Sequence, residues 1–184
     1  MNEKQTFAFI TLGCKLNYAE SATIARELMQ KGYEKVKPSR CADLYIINTC
    51  SVTEHADKKS RQAIRKVLRI NPRARIIVTG CSAQLRPERL QQIPGAGALI
   101  GTGFRDHILR VVEKNENHTL LVRPAETENS FFAAYSAGEE ARDRTRSFLK
   151  VQDGCDYCCA YCTVPLARGR SRNIPIAQVV LQRS

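Results

Sequence analysis

A chain of 184 residues, 43% hydrophobic and 26% charged, is long enough and apolar enough to bury one full core and begin a second domain. Its N-terminus (MNEKQTF) lacks a signal-peptide pattern and no apolar run approaches the roughly 20 residues that cross a bilayer. This argues for a cytoplasmic protein without membrane association, in which eight cysteines serve metal or redox chemistry more readily than a disulfide framework. The formal charge of +11 favours a polyanionic partner.

In chain order, FAFIT (Phe7–Thr11) predicts a strand, followed after LGCKLN by a helix that shares Ser21, Ile24, Ala25 and Leu28 on one face and stops at Gly32. LYIIN (Leu44–Asn48) predicts a second strand, and the helix after it turns Ile64, Val67 and Leu68 inward. That helix opens a run from Lys58 to Arg75 with eight Lys or Arg and no acid. IIVT (Ile76–Thr79) is a third strand, with a Pro87-started helix to about Gln92, and ALIG (Ala98–Gly101) leads into a further helical pattern, FRDHILRVVE. Alternating strands and helices of this kind predict an α/β fold, a small doubly wound parallel-sheet domain over residues 1–113.

Residues 114–144 read as a linker, with LLV at 120–122 a strand candidate and NSFFAAYSAGEEARDR a tether. Phe131, Phe132 and Tyr135 fit base stacking or, with better support, core packing. A second domain is expected to begin at 145, with a strand at RSFLKVQ (Arg146–Gln152), a loop from Asp153 and Gly154, and a helix at IAQVVLQ.

Cys14 lies three residues past the first strand, Cys50 two past the second and Cys81 two past the third. In an open parallel sheet these positions share one edge, where ligands collect. Gly13 and Gly80 precede two of them and allow close backbone approach. Cys41, in SRCAD, fits an ordinary small buried hydrophobe. Three thiolates suit an iron-sulfur cluster with one open iron or a zinc with a water, and His55 near Cys50 keeps the zinc alternative open. There is no GxGxxG phosphate loop after a strand.

GCDYCCAYC, residues 154–162, permits two registers. Using Cys155, Cys158, Cys159 and Cys162 makes two CxxC hooks without the spacer that lets a chain wrap a zinc ion. Using Cys155, Cys159 and Cys162 gives C-x3-C-x2-C and leaves Cys158 inert. The second spacing resembles that of radical S-adenosylmethionine enzymes, whose three thiolates hold a 4Fe-4S cluster with one iron open to the cofactor. That resemblance implies that Tyr161 abuts the adenine, that Arg168 of PLARGRSR joins it in binding the cofactor, and that the strand, loop and helix start a truncated (β/α) barrel.

LGCKLNYAES, IINTCSVTEHADKKSRQAIR, VTGCSAQ and KVQDGCDYCCAYCTVPLARGRSR together resemble the N-terminal half of the tRNA methylthiotransferase family, within it the branch acting on threonylcarbamoyladenosine beside the anticodon. The resemblance implies an enzyme with two 4Fe-4S clusters, one on Cys14, Cys50 and Cys81 that handles sulfur, the other on Cys155, Cys159 and Cys162 that activates S-adenosyl-L-methionine. It further implies insertion of sulfur at C2 of the adenine, methyl transfer to it, a tRNA substrate, a sulfur donor, and an electron donor of flavodoxin or ferredoxin type. The sequence departs from the family at Cys158 and in length, since most of the barrel and a terminal RNA-binding domain are missing. The chain is therefore expected to be a fragment with a folded first domain and a mobile second cysteine loop. A non-catalytic iron-sulfur or zinc module that binds nucleic acid is the alternative, and the oligomeric state is left open.

Overall fold

A computed structural model describes residues 4–50, 54–136 and 147–181. Six parallel strands, β1 (Thr6–Thr11), β2 (Glu34–Lys35), β3 (Leu44–Thr49), β4 (Arg75–Gly80), β5 (Ala98–Ile100) and β6 (Leu120–Leu121), form one sheet in the order β2-β1-β3-β4-β5-β6. β3 is buried along its whole length, which explains why LYIINT is apolar without alternation at its start. Its pleat still separates two cores. Tyr45 and Ile47 face Ile64 and Val67 of α2 (Glu54–Ile70), with Leu90 of α4 (Pro87–Gln91) in the same cluster. Leu44 and Ile46 face Ile24, Ala25 and Leu28 of α1 (Lys15–Gln30) and Ile108, Val111 and Val112 of α5 (Ile108–Glu113). Burying side chains of this size stabilises the fold by about 1.5–3 kcal/mol each. The expected doubly wound sheet is thus present, with the LLV candidate as its edge strand β6 and one additional strand, β2. β2 is too short to stand out by periodicity.

Helix α3 (Cys81–Leu85) was not foreseen, because Gly80 and Pro87 bracket it and leave less than two turns. The FRDHILRVVE pattern divides into a 3-10 turn over Thr102–His107 and α5, with the kink at Phe104. Arg75, counted in the basic run, is structural: its guanidinium donates to the carbonyls of Val111, Val112 and Glu116 at the end of α5. Cys41 is exposed, contrary to its reading as a buried hydrophobe. The core position belongs to its neighbour Ala42, which is 1% exposed and donates its N–H to the Tyr45 hydroxyl.

Beyond the sheet, the expected single strand over Arg146–Gln152 is broken in its described part. β8 (Phe148–Leu149) pairs antiparallel with β7 (Tyr135–Ser136), whereas β9 (Gln152–Asp153) pairs antiparallel with β10 (Arg172–Asn173). Between them Lys150 still donates its backbone N–H to the Ala134 carbonyl at 2.9 Å, while its ammonium turns inward to Glu20 and Asp153. β7 lies against α1, where Arg26 stacks at 3.7 Å on the Tyr135 ring and donates to the Tyr135 carbonyl. Phe132 packs on the core, so both aromatics take the packing role. The remaining elements are α6 (Val164–Arg168) and α7 (Ile176–Leu181), whose Ile176, Val180 and Leu181 are exposed. The part of the tether at 137–144, residues 145–146 and the end of VVLQRS lie outside the described residues. No helix among the described residues is long and apolar enough to cross a membrane.

Candidate metal centre

The sheet order reverses direction between β1 and β3, the point at which a doubly wound sheet opens a crevice at its carboxyl edge. Cys14 follows β1 as the residue capping α1, Cys50 follows β3, and Cys81 opens α3 directly after β4. Because β1, β3 and β4 are adjacent and in register, their three loops are neighbours. Two glycines let them close. Gly13 has φ +95°, and a Cβ there would lie 2.7 Å from Cys50 Sγ; Gly80 has φ +96°, and its Cβ would lie 2.4 Å from the Thr49 carbonyl oxygen. Asn17 ties the loops together, its Nδ2 donating at 2.9 Å to both the Leu12 and the Thr49 carbonyls. Cys14 is exposed, while Cys50 and Cys81 are buried at 6% and 8% exposure.

The donor set is all thiol, which suits iron and sulfide. Among the described residues no three His, Cys, Asp or Glu side chains converge on one point as a single ion demands. A cubane cluster is larger than one ion, so its thiolates surround a wider space. The side chain of His55 lies outside the described residues, and with it the zinc alternative.

Behind the edge lies a buried ionic group that sequence reading missed. Glu20 on α1 is fully buried and faces Arg105 at 3.1 Å, Lys150 at 3.0 Å and Arg168 at 2.9 Å. Asp153 pairs with Lys150 at 2.6 Å and Arg168 at 2.9 Å. Burial opposes ionisation of Glu20, but Arg105, Arg168 and Lys150 outweigh it and hold the carboxyl well below the usual range. Asp153 is lowered likewise, burial being overcome by Arg168 and Lys150. Burial pushes the Cys81 thiol up, against the pull of Arg168 and Arg105. The signal was present in KLNYAE: Asn17 and Glu20 continue the Ile24 and Leu28 stripe of α1 toward its N-terminus, so polar side chains were due on a face that packs inward.

Arg168 is the hub. It was expected beside a cofactor, yet it is 3% exposed and turned into the first domain, donating to Glu20, Asp153 and Asn17 Oδ1 at 2.7 Å. The next residue, Gly169, accepts the Cys155 N–H at 3.1 Å. Arg168 therefore joins both cysteine groups. In the second, Cys155 and Cys162 are half-buried while Cys158 and Cys159 are exposed. The loop is fixed at its base by Gly154, whose φ of +74° brings it onto the Arg170 carbonyl, and by Asp156 accepting the Ser171 N–H at 3.0 Å. Tyr161 is 92% exposed and free of the core.

Residues 6–101, which carry the sheet through β5 and all three edge cysteines, match the Uncharacterized protein family UPF0004. The chain belongs to the UPF0004 family. Over 181 residues it is 39% identical to the threonylcarbamoyladenosine tRNA methylthiotransferase MtaB of Bacillus subtilis, a match covering 96% of this chain and 40% of that protein. The corresponding protein of Aquifex aeolicus is 36% identical over 182 residues, covering 95% of this chain and 43% of its own length. The ribosomal protein uS12 methylthiotransferase RimO of Trichodesmium erythraeum is 33% identical over 187 residues, 99% of this chain and 41% of that protein. These matches bear out the resemblance to methylthiotransferases, and the chain spans about two fifths of the length of the curated relatives it matches. In this UPF0004 chain the matched region is the sheet domain, while Arg168 lies outside it and returns to bond with it.

Proposed function

We propose that this chain is the N-terminal portion of a radical S-adenosylmethionine tRNA methylthiotransferase that modifies C2 of threonylcarbamoyladenosine beside the anticodon. The observation that carries this is the delivery of Cys14, Cys50 and Cys81 to one edge by three adjacent parallel strands, in a chain related to methylthiotransferases along nearly its whole length. Those three thiols hold one 4Fe-4S cluster and Cys155, Cys159 and Cys162 the other. When bound, the clusters and S-adenosyl-L-methionine supply one-electron reduction, sulfur and a methyl group; a sulfur donor and an electron donor of flavodoxin or ferredoxin type complete the set.

The chain's own residues contribute position and charge. Asn17 sets the spacing of the Cys14 and Cys50 loops through its two carbonyl acceptors. Arg168, whose guanidinium is committed to Glu20, Asp153 and Asn17, serves by seating the second loop against the first domain. The buried group of Glu20, Asp153, Arg105, Lys150 and Arg168 carries three cations against two carboxylates. Beside the buried Cys81 thiol, Arg168 and Arg105 oppose the upward push of burial without overcoming it. Tyr161, exposed on its loop, is assigned to the adenine of the cofactor. Residues 1–113 make up the first domain, 114–144 the connection and 145–184 the start of the barrel domain, with Lys150 and Arg168 crossing the junction.

Anaerobic reconstitution followed by iron, zinc and sulfide analysis tests this. Iron and sulfide in equal amounts are expected, with Cys14→Ala, Cys50→Ala and Cys81→Ala each removing the same absorption and paramagnetic signal, and Cys41→Ala removing none. Zinc without labile sulfide, or equal loss from Cys41→Ala, would overturn the assignment.

A further inference from the structure

Helix α2 begins four residues after Cys50 and spans 17 residues, about 25 Å at 1.5 Å per residue. Its inner face is settled by Ile64 and Val67, both fully buried. Taking 100° per residue, Lys58, Arg61, Arg65 and Arg69 follow one stripe and Lys59 and Lys66 the next, all on the half of the helix opposite that face. Each of these six is exposed, as is Arg73 just beyond the helix. Among the described residues none of the seven makes an ion pair, whereas other surface cations do, such as Lys31 with Glu113 at 2.8 Å. Between Lys58 and Arg75 there is no acid to form one. Arg75, the remaining cation of the run, is consumed by the end of α5.

A solvated helix face of an ordinary globular protein mixes both signs at i, i+4 spacing, which stabilises the helix; like charges there cost stability instead. The acids of α2, Glu54 and Asp57, are confined to its first turn, and from Lys58 onward the face carries that cost. It is offset by a partner with a regular row of negative charges.

We infer that the outer face of α2 is a docking surface for the phosphate backbone of structured RNA, leading toward the Cys50 end of the sheet edge. The inference deepens the proposed function and rests on its RNA substrate. The contacts are cation to phosphate, so they position the RNA without reading its sequence. The cations belong to a rigid helix anchored on the sheet core, which sets the approach of the RNA relative to the cysteine edge. Six of the seven are arginine or lysine on the helix itself, and no aromatic side chain lies among Lys58–Arg73. Binding is therefore expected to be strongly salt-dependent and tolerant of sequence.

The test uses the 184-residue chain and a short RNA hairpin, with the dissociation constant measured at several salt concentrations. The triple substitution Arg61→Ala, Arg65→Ala and Arg69→Ala keeps good helix formers on the surface, and circular dichroism verifies the fold. A control triple, Lys35→Ala, Lys37→Ala and Arg40→Ala, removes the same formal charge from exposed positions at β2 and the turn after it. The α2 triple should weaken binding about tenfold or more and lower the slope of log affinity against log salt by about 2–3, with a change under about twofold for the control. Equal weakening by both triples would mean that net charge alone matters and would overturn the surface. RNA binding unchanged in the α2 triple would overturn it too, while leaving the methylthiotransferase proposal standing on its iron and sulfide content. Absence of RNA binding by the unsubstituted chain, or α2-dependent binding to phosphatidylserine vesicles in its place, would likewise overturn it.

Discussion

The two cysteine groups rest on backbones of opposite kinds. Cys14, Cys50 and Cys81 are placed by β1, β3 and β4, strands paired over long sequence separations, and two of the three thiols are buried. Cys155, Cys159 and Cys162 sit on a loop held by a few backbone hydrogen bonds, with Cys159 exposed and Cys155 and Cys162 half-buried. The first group borrows its geometry from a sheet that is stable for other reasons. The second borrows its geometry from one buried arginine, so it is the part most open to disturbance.

The comparison breaks most completely at Glu20. Glu20→Ala leaves Arg105, Lys150 and Arg168 facing one another without their shared carboxylate, and removal of one partner from a buried ionic group costs about 3–5 kcal/mol. Thermal unfolding should show a midpoint lower by roughly 10 °C or more. Both groups should loosen, because Glu20 belongs to α1 and its partners to the later segments. Arg168→Met is expected to act unequally. Limited proteolysis should cut faster within 147–181 while residues of the sheet keep their protection against hydrogen exchange; uniform loss of protection would remove the distinction between the two groups.

Next in size is Gly13→Ala. A methyl group there meets both Cys50 Cβ and Sγ and forces a side chain into a backbone conformation suited to glycine, at a cost of about 1–3 kcal/mol. Denaturant titration measures the cost, and loss of reconstituted iron from the first group alone would sharpen the contrast. Acid should find the ionic group as well. Glu20 and Asp153 have folded pKa values below their unfolded ones, so their stabilisation is complete above the ordinary carboxylate pKa of about 4 and fades as pH falls below it. Unfolding free energy measured from pH 7 to pH 2 should drop below about pH 4, and Glu20→Gln should flatten that drop.

The smallest effects concern single thiols. In metal-free protein, alkylation should modify Cys14, Cys41, Cys158 and Cys159 well before Cys50 and Cys81, since burial shields the latter two and pushes the Cys81 thiol up. Cys41→Ser should change stability by no more than about 0.5 kcal/mol, as expected at an exposed position away from the core. A larger loss would restore the buried role first read from its sequence context.

What could be read from sequence divides along the same line. Phe7–Thr11, Leu44–Asn48 and Ile76–Thr79 announce themselves as apolar runs, and the rule that parallel strands present one carboxyl edge carries Cys14, Cys50 and Cys81 to it without further information. Local composition contains no such rule for Arg168. Its partners Asn17 and Glu20 lie about 150 residues earlier, and nothing in PLARGRSR distinguishes an arginine that meets a cofactor from one that closes a buried charge. SFLKVQ reads as one strand, yet it divides into β8 and β9 because the chain changes partner from β7 to β10, and local pattern carries no information about distant pairing partners. Cys41 failed for a simpler reason: the boundary of β3 and its approach decides which of Cys41 and Ala42 faces the core, and a shift of one residue reverses it.

Synthesis from the N-terminus produces Glu20 first and its balancing cations Arg105, Lys150 and Arg168 much later. While the chain is still emerging from the ribosome, α1 thus carries a carboxylate that can enter the interior only as those groups arrive. Severing the chain at 113 would leave Glu20 with Arg105 alone of its three cations, so the later segment completes the charge balance of the first.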